Sequence, residues 1–88
     1  MININIEFYN KETEFIEDTI FLPLPDHIVV NAMRSDGVED INELSARMFD
    51  VTDQMKEYVV ENHPEHKEKF DLYDCDFMGE YADQYEEE

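Results

Sequence analysis

With 88 residues, the chain is long enough for one modest core and too short for two, and folding buries roughly 60–68% of the unfolded chain's surface. Its 24 Asp and Glu against 6 Lys and Arg leave a net charge of −18, a field that repels nucleic acid and anionic membrane and attracts cationic protein surfaces. An apolar content of 42%, with 6 Phe and 5 Tyr, excludes a chain kept disordered by charge alone; 2 Gly exclude a glycine-rich phosphate loop and the nucleotide hydrolysis it serves.

The first segment, MININIEFY, sets Ile2, Ile4, Ile6 and Phe8 on one face and Asn3, Asn5 and Glu7 on the other, the period of a half-buried strand. It carries no secretory signal, and the lone Cys75 has no intrachain partner, so a soluble cytoplasmic protein is expected. NKET can turn the chain, and EFIEDTIFLPL returns as a second strand, with a bulge near Glu17 and Asp18 where the alternation slips. Asp26 is placed to cap a short amphipathic helix through Ile28, Val29, Ala32 and Met33, which Gly37 ends. Asp40 and Glu43 fit a capping box for a second helix carrying Ile41, Leu44, Ala46, Met48 and Phe49. Thr52 caps a third, DQMKEYVVEN, whose Met55, Tyr58 and Val59 share a face; His63 and Pro64 interrupt it, and Pro64 can open another.

In the last segment, DLYDCDFMGEYADQYEEE, Asp74, Asp76 and Gly79 match positions one, three and six of an EF-hand loop. Met78 and Tyr85 then occupy positions five and twelve, where calcium needs carboxylates, so no calcium site is expected. His63 and His66, with Glu61 or Asp71, make only a weak metal set that Pro64 disturbs. No metal, cofactor or enzymatic activity is expected. Cys75 lies between Asp74 and Asp76, which discourage its thiolate.

Phe70, Tyr73, Phe77, Tyr81 and Tyr85 step by three, four, four and four, and Asp76, Glu80, Asp83 and Glu87 step by four, three and four. Both are helical spacings, so an amphipathic C-terminal helix is predicted, with residues 86–88 frayed. The predicted fold is α+β: an N-terminal antiparallel hairpin or small sheet packed against three to four short helices, in a single domain spanning residues 1–85. A homodimer is an open expectation, since a chain this small has limited core.

Carboxylates three or four residues apart on a helix sit about 5–6 Å from each other, comparable in scale to a DNA strand's one charge per roughly 3.4 Å of rise. The predicted partner-binding residues are therefore Asp71, Asp74, Asp76, Glu80, Tyr81, Asp83 and Tyr85, extended by Glu61, Glu65 and Glu68. The tyrosines supply apolar anchors that charge alone lacks. Glu7, Glu12 and Glu14 are expected to matter less. The bland alternative has the aromatic stripe packing on the sheet while the acids face water.

Small, very acidic proteins with aromatic residues among their acids resemble the DNA-mimic inhibitors that phages and mobile elements use against restriction, CRISPR and other DNA-binding host proteins. Within that group, TIFLPLPDHIVVNAM looks like the strand, Leu-Pro and helix unit of ArdA-type antirestriction domains. DINELSARMFDV is similar to their I-x-E-L-N helix, with Ile41, Glu43 and Leu44 matching and Ser45 in place of the Asn. The resemblance covers residues 19 to 51. It implies a non-enzymatic inhibitor of a host defence nuclease, effector or other DNA- or RNA-binding protein, acting by blocking DNA access and binding no nucleic acid itself. The competing expectation is an acidic interaction module, such as an adaptor, chaperone or regulatory subunit, for a basic partner unrelated to DNA.

Overall fold

A computed structural model describes residues 1–79. Strands β1 (Ile2–Tyr9) and β2 (Ile16–Leu24) form the N-terminal hairpin, followed by helix α1 (Asp26–Ser35), a 3-10 turn at Ile41–Ser45 and the short strand β3 (Phe49–Asp50). Helix α2 (Asp53–Asn62), a 3-10 turn at Pro64–His66, helix α3 (Lys67–Leu72) and strand β4 (Asp74–Gly79) complete the order. The four strands pair antiparallel as β2-β1-β4-β3, so the fold is α+β, with the hairpin and helices in the expected arrangement.

The alternation of β1 fixes the layering. Ile4, Ile6 and Phe8 are fully buried and face Leu22, Ile20, Val29, Met33, Met55 and Val59 in one core cluster. The pairing of β1 with β2 steps from Phe8↔Asp18 to Tyr9↔Ile16, leaving Glu17 as the extra residue of a bulge, where the sequence places it. In the hairpin turn, the Asn10 side-chain oxygen accepts from the amides of Glu12 and Thr13 at 2.8 and 3.0 Å, and Glu14 takes a left-handed φ of 64° to re-enter the ladder.

The helix signals meet mixed outcomes. Thr52 caps α2 as expected, its hydroxyl accepting from the Met55 amide at 3.2 Å. Gly37, at φ 78°, ends α1 with its amide on the Arg34 carbonyl, the left-handed stop that a Cβ resists. Asp26 is not a cap: Pro25 holds that position, and Asp26 lies in the first helical turn, where its carboxylate meets the Met1 amino group at 3.0 Å. Asp40 does cap, accepting from the Asn42 amide at 3.0 Å, but it opens only a five-residue 3-10 turn, because Phe49 leaves for β3 to stack on Phe77.

The larger correction concerns the C-terminal segment. Residues 74–79, predicted as part of an amphipathic helix, form β4, paired with β1 from Tyr9↔Asp74 to Ile4↔Gly79. The same residues also alternate with period two: Cys75, Phe77 and Gly79 face the core side, Asp74, Asp76 and Met78 the other. The free edge of β1 settles the ambiguity, since its buried strand backbone needs a second ladder. Gly79 lets the strand pass beneath Leu44, whose Cγ would sit 2.7 Å from any Cβ there. The remainder of the predicted helix, residues 80–85, and the end predicted to fray, residues 86–88, lie outside the described residues.

Candidate functional site

The sheet face opposite the core gathers acids that are scattered in the chain. The register aligns Thr19, Glu7, Asp76 and Asp50 in one row across all four strands, so three carboxylates stand directly opposite one another on β1, β4 and β3. Opposed residues on neighbouring strands lie about 4.5–5.5 Å apart at Cβ, and like charges so placed repel. Asp74 adds a fourth carboxylate on the same face, two residues along β4.

The row's ionisation reflects this crowding. Asp76 is held above the usual carboxylate range, first by burial and then by the negative charges of Asp50, Asp74, Glu7 and Asp36. The Tyr9 hydroxyl donates to Glu7 Oε1 at 2.8 Å, and its pKa is pushed up to about 12 by burial, by that hydrogen bond, and by the charges of Glu7 and Asp76. Beside the acids runs an apolar fringe. Phe21 is 65% exposed and Ile16 54%, and the next row sets Phe21, Asn5 and Met78 side by side. The side-chain oxygen of Asn5 is buried in that row with no hydrogen-bond partner among the described residues.

The sequence-predicted site divides. Asp76 lies in the sheet row and Asp74 on the same face of β4, whereas Glu61 in α2, Glu65 in the 3-10 turn, and Glu68 and Asp71 in α3 are exposed on the helical segments. They do not form one continuous stripe with β4, because the chain turns from helix to strand at Tyr73. Glu80, Tyr81, Asp83 and Tyr85 lie outside the described residues. Sequence reasoning left Asp50 out of the predicted partner-binding residues and set Glu7 apart from Asp76, whereas the register brings both to flank Asp76; their only linear signal is the outward phase of each strand. Among the described residues, no group of three or more His, Cys, Asp or Glu is placed to hold a metal ion.

Cys75, on the core side of β4, has its pKa pushed up to about 11, chiefly by burial and further by Asp76 and Asp74, against the opposing pull of Lys56. At pH 8, its alkylation by iodoacetamide should be about a hundredfold slower than that of an ordinary thiol, and urea should restore the rate; equal rates in both states would place the thiol at the surface. Among the described residues, no helix is long and apolar enough to cross a membrane.

No protein-family model, curated protein or solved structure matches this chain, so the functional reading rests on the residues themselves.

Proposed function

We propose that this chain is a non-enzymatic, acidic DNA mimic that binds the basic nucleic-acid-binding surface of a host defence or other DNA-binding protein and blocks its access to DNA. The observation that carries the proposal is the row of Glu7, Asp76 and Asp50 across three paired strands. Solubility needs acids dispersed on the surface; aligning them costs stability, a cost that a cationic partner reverses. The strand spacing of about 4.7–4.9 Å gives the row a rigid charge repeat on the scale of a phosphate backbone. Phe21 and Ile16 beside it offer apolar contact that a nucleic acid lacks, which lets the protein out-compete DNA rather than merely share its charge. The proposal places the protein in the cytoplasm, that of the host cell if a phage encodes it.

The test uses the captured partner. Its complex with this protein should be stoichiometric, lost on addition of DNA, and weakened steeply between about 50 and 200 mM salt. The triple variant Glu7→Gln, Asp50→Asn, Asp76→Asn should bind roughly tenfold or more weakly, and Glu61→Gln, Glu65→Gln, Glu68→Gln should bind nearly as the parent does. A partner that holds DNA and this protein together would show the acidic surface to be an adaptor rather than a mimic.

A further inference from the structure

Strand β3 is two residues long and pairs with β4 at Phe77 and Asp76 alone. Before them, Asp74 and Cys75 have no strand neighbour on that side among the described residues, and a cleft of about 660 Å³ opens there, bordered by the hairpin turn, β4 and α2. Three rings line it, Tyr9, Phe70 and Tyr73, together with three carboxylates, Asp50, Asp74 and Asp76. The rings are fixed in advance: Phe70 and Tyr73 pack edge-on to Phe8 with centroids 5.3 and 6.5 Å away, and Glu7 accepts the Tyr9 hydroxyl.

Two ammonium groups also reach the cleft. Lys11 donates to the Asp71 carbonyl at 3.3 Å and is directed there, while Lys56 comes from α2. With Glu14 included, four carboxylates and two ammonium groups line the cleft among the described residues, so that lining is net negative. Its volume lies within the roughly 300–1,000 Å³ of pockets that hold small ligands, ample for one long side chain.

We infer that this cleft receives an arginine side chain of the basic partner. The inference rests on the acidic-mimic reading above and names what the partner inserts. A guanidinium meets a carboxylate with two parallel hydrogen bonds and stacks its plane on an aromatic ring, whereas a lysine ammonium is a compact, strongly hydrated point charge that uses mainly the carboxylates. Rings and carboxylates converging on one cleft therefore select arginine, the residue best suited to gripping phosphates. Burial is the first cause of the high titration of Asp76 and Tyr9, and the neighbouring negative charges add to it, a share that a cation placed beside them relieves.

The full-length, isotope-labelled chain would be titrated with end-blocked tri-arginine and tri-lysine peptides at about 50 mM salt, a condition that preserves charge contacts. Tri-arginine should bind roughly tenfold more tightly, with the largest amide shifts at Tyr9, Tyr73, Asp74 and Asp76. Tyr73→Leu should reduce tri-arginine binding to the tri-lysine level. Asp74→Asn, an exposed site on the strand, should weaken both peptides and serves if the Tyr73 variant fails to fold. Equal affinities for the two peptides, or shifts centred on Glu61, Glu65 and Glu68, would overturn the inference. The two proposals fail separately: competition with DNA without arginine preference removes only the cleft assignment, and arginine preference without competition removes only the mimicry.

Discussion

Replacing Phe77 by Ala should destabilise the protein by about 3–5 kcal/mol. Phe77 is fully buried at the centre of the sheet, opposite Ile6 on β1 and Phe49 on β3, and its ring stacks on that of Phe49 at a centroid distance of 5.5 Å. Truncation removes that contact and opens a cavity in the core beneath the sheet, which the paired β1, β4 and β3 hold open because β4 cannot move inward without breaking two ladders. At about 0.05–0.15 kcal/mol per residue, the total stability of a domain this size is about 4–13 kcal/mol, so the loss ranges from roughly a quarter to all of it. The urea midpoint of Phe77→Ala should fall by at least about 1 M. Phe21→Ala, on the outward face of β2 and 65% exposed, should shift stability by no more than about 0.5 kcal/mol. Similar losses from both variants would mean that β4 does not occupy the centre of the sheet.

Neutralising the acidic row should do the opposite and raise stability. Glu7→Gln, Asp50→Asn and Asp76→Asn together remove two directly opposed like-charge pairs, each worth a fraction of a kcal/mol up to about 1. For a domain this small, a gain of about 1 kcal/mol raises Tm by roughly 4–8 °C. The gain should shrink as added salt screens the parent's repulsion. Weaker partner binding by a more stable protein then cannot be attributed to unfolding. A triple variant with unchanged or lower Tm at low salt would show that the row is not under electrostatic strain.

The pH dependence has two limbs of opposite sign. Asp76 titrates higher in the folded chain than when unfolded, so its ionisation opposes folding, and stability falls as pH rises through its folded pKa. Asp18 behaves conversely. Its pKa is lowered chiefly by the hydrogen bond from Lys69, so its contribution is present above the unfolded value and lost as pH falls through the folded one. Thermal stability should therefore rise as pH drops from 7 into the upper carboxylate range and fall again at stronger acidity. Asp76→Asn should flatten the first limb, and Asp18→Asn the second.

Features set by neighbouring residues were legible in the sequence. The alternation of Ile2, Ile4, Ile6 and Phe8 defines a strand, Thr52 caps α2, Gly37 stops α1, and the broken alternation at Glu17 marks the bulge, because each depends on backbone conformation within a few residues. The capping potential of Asp26 was equally visible, yet Pro25 took the cap position, and Phe49 left its predicted helix for the sheet.

The acidity, the apolar content and the α+β class were thus decided by the sequence alone. Only the tertiary structure decided which period residues 74–79 would adopt. Phe70, Tyr73 and Phe77 satisfy a helix, while Cys75, Phe77 and Gly79 satisfy a strand, and local spacing cannot choose between them. The unpaired edge of β1, distant in the chain, chose the strand by offering it a full ladder and a place in the core. That pairing brought Glu7 to Asp76, and the pairing of β3 with β4 brought Asp50, turning acids dispersed along the chain into one row, a juxtaposition that exists only through long-range register.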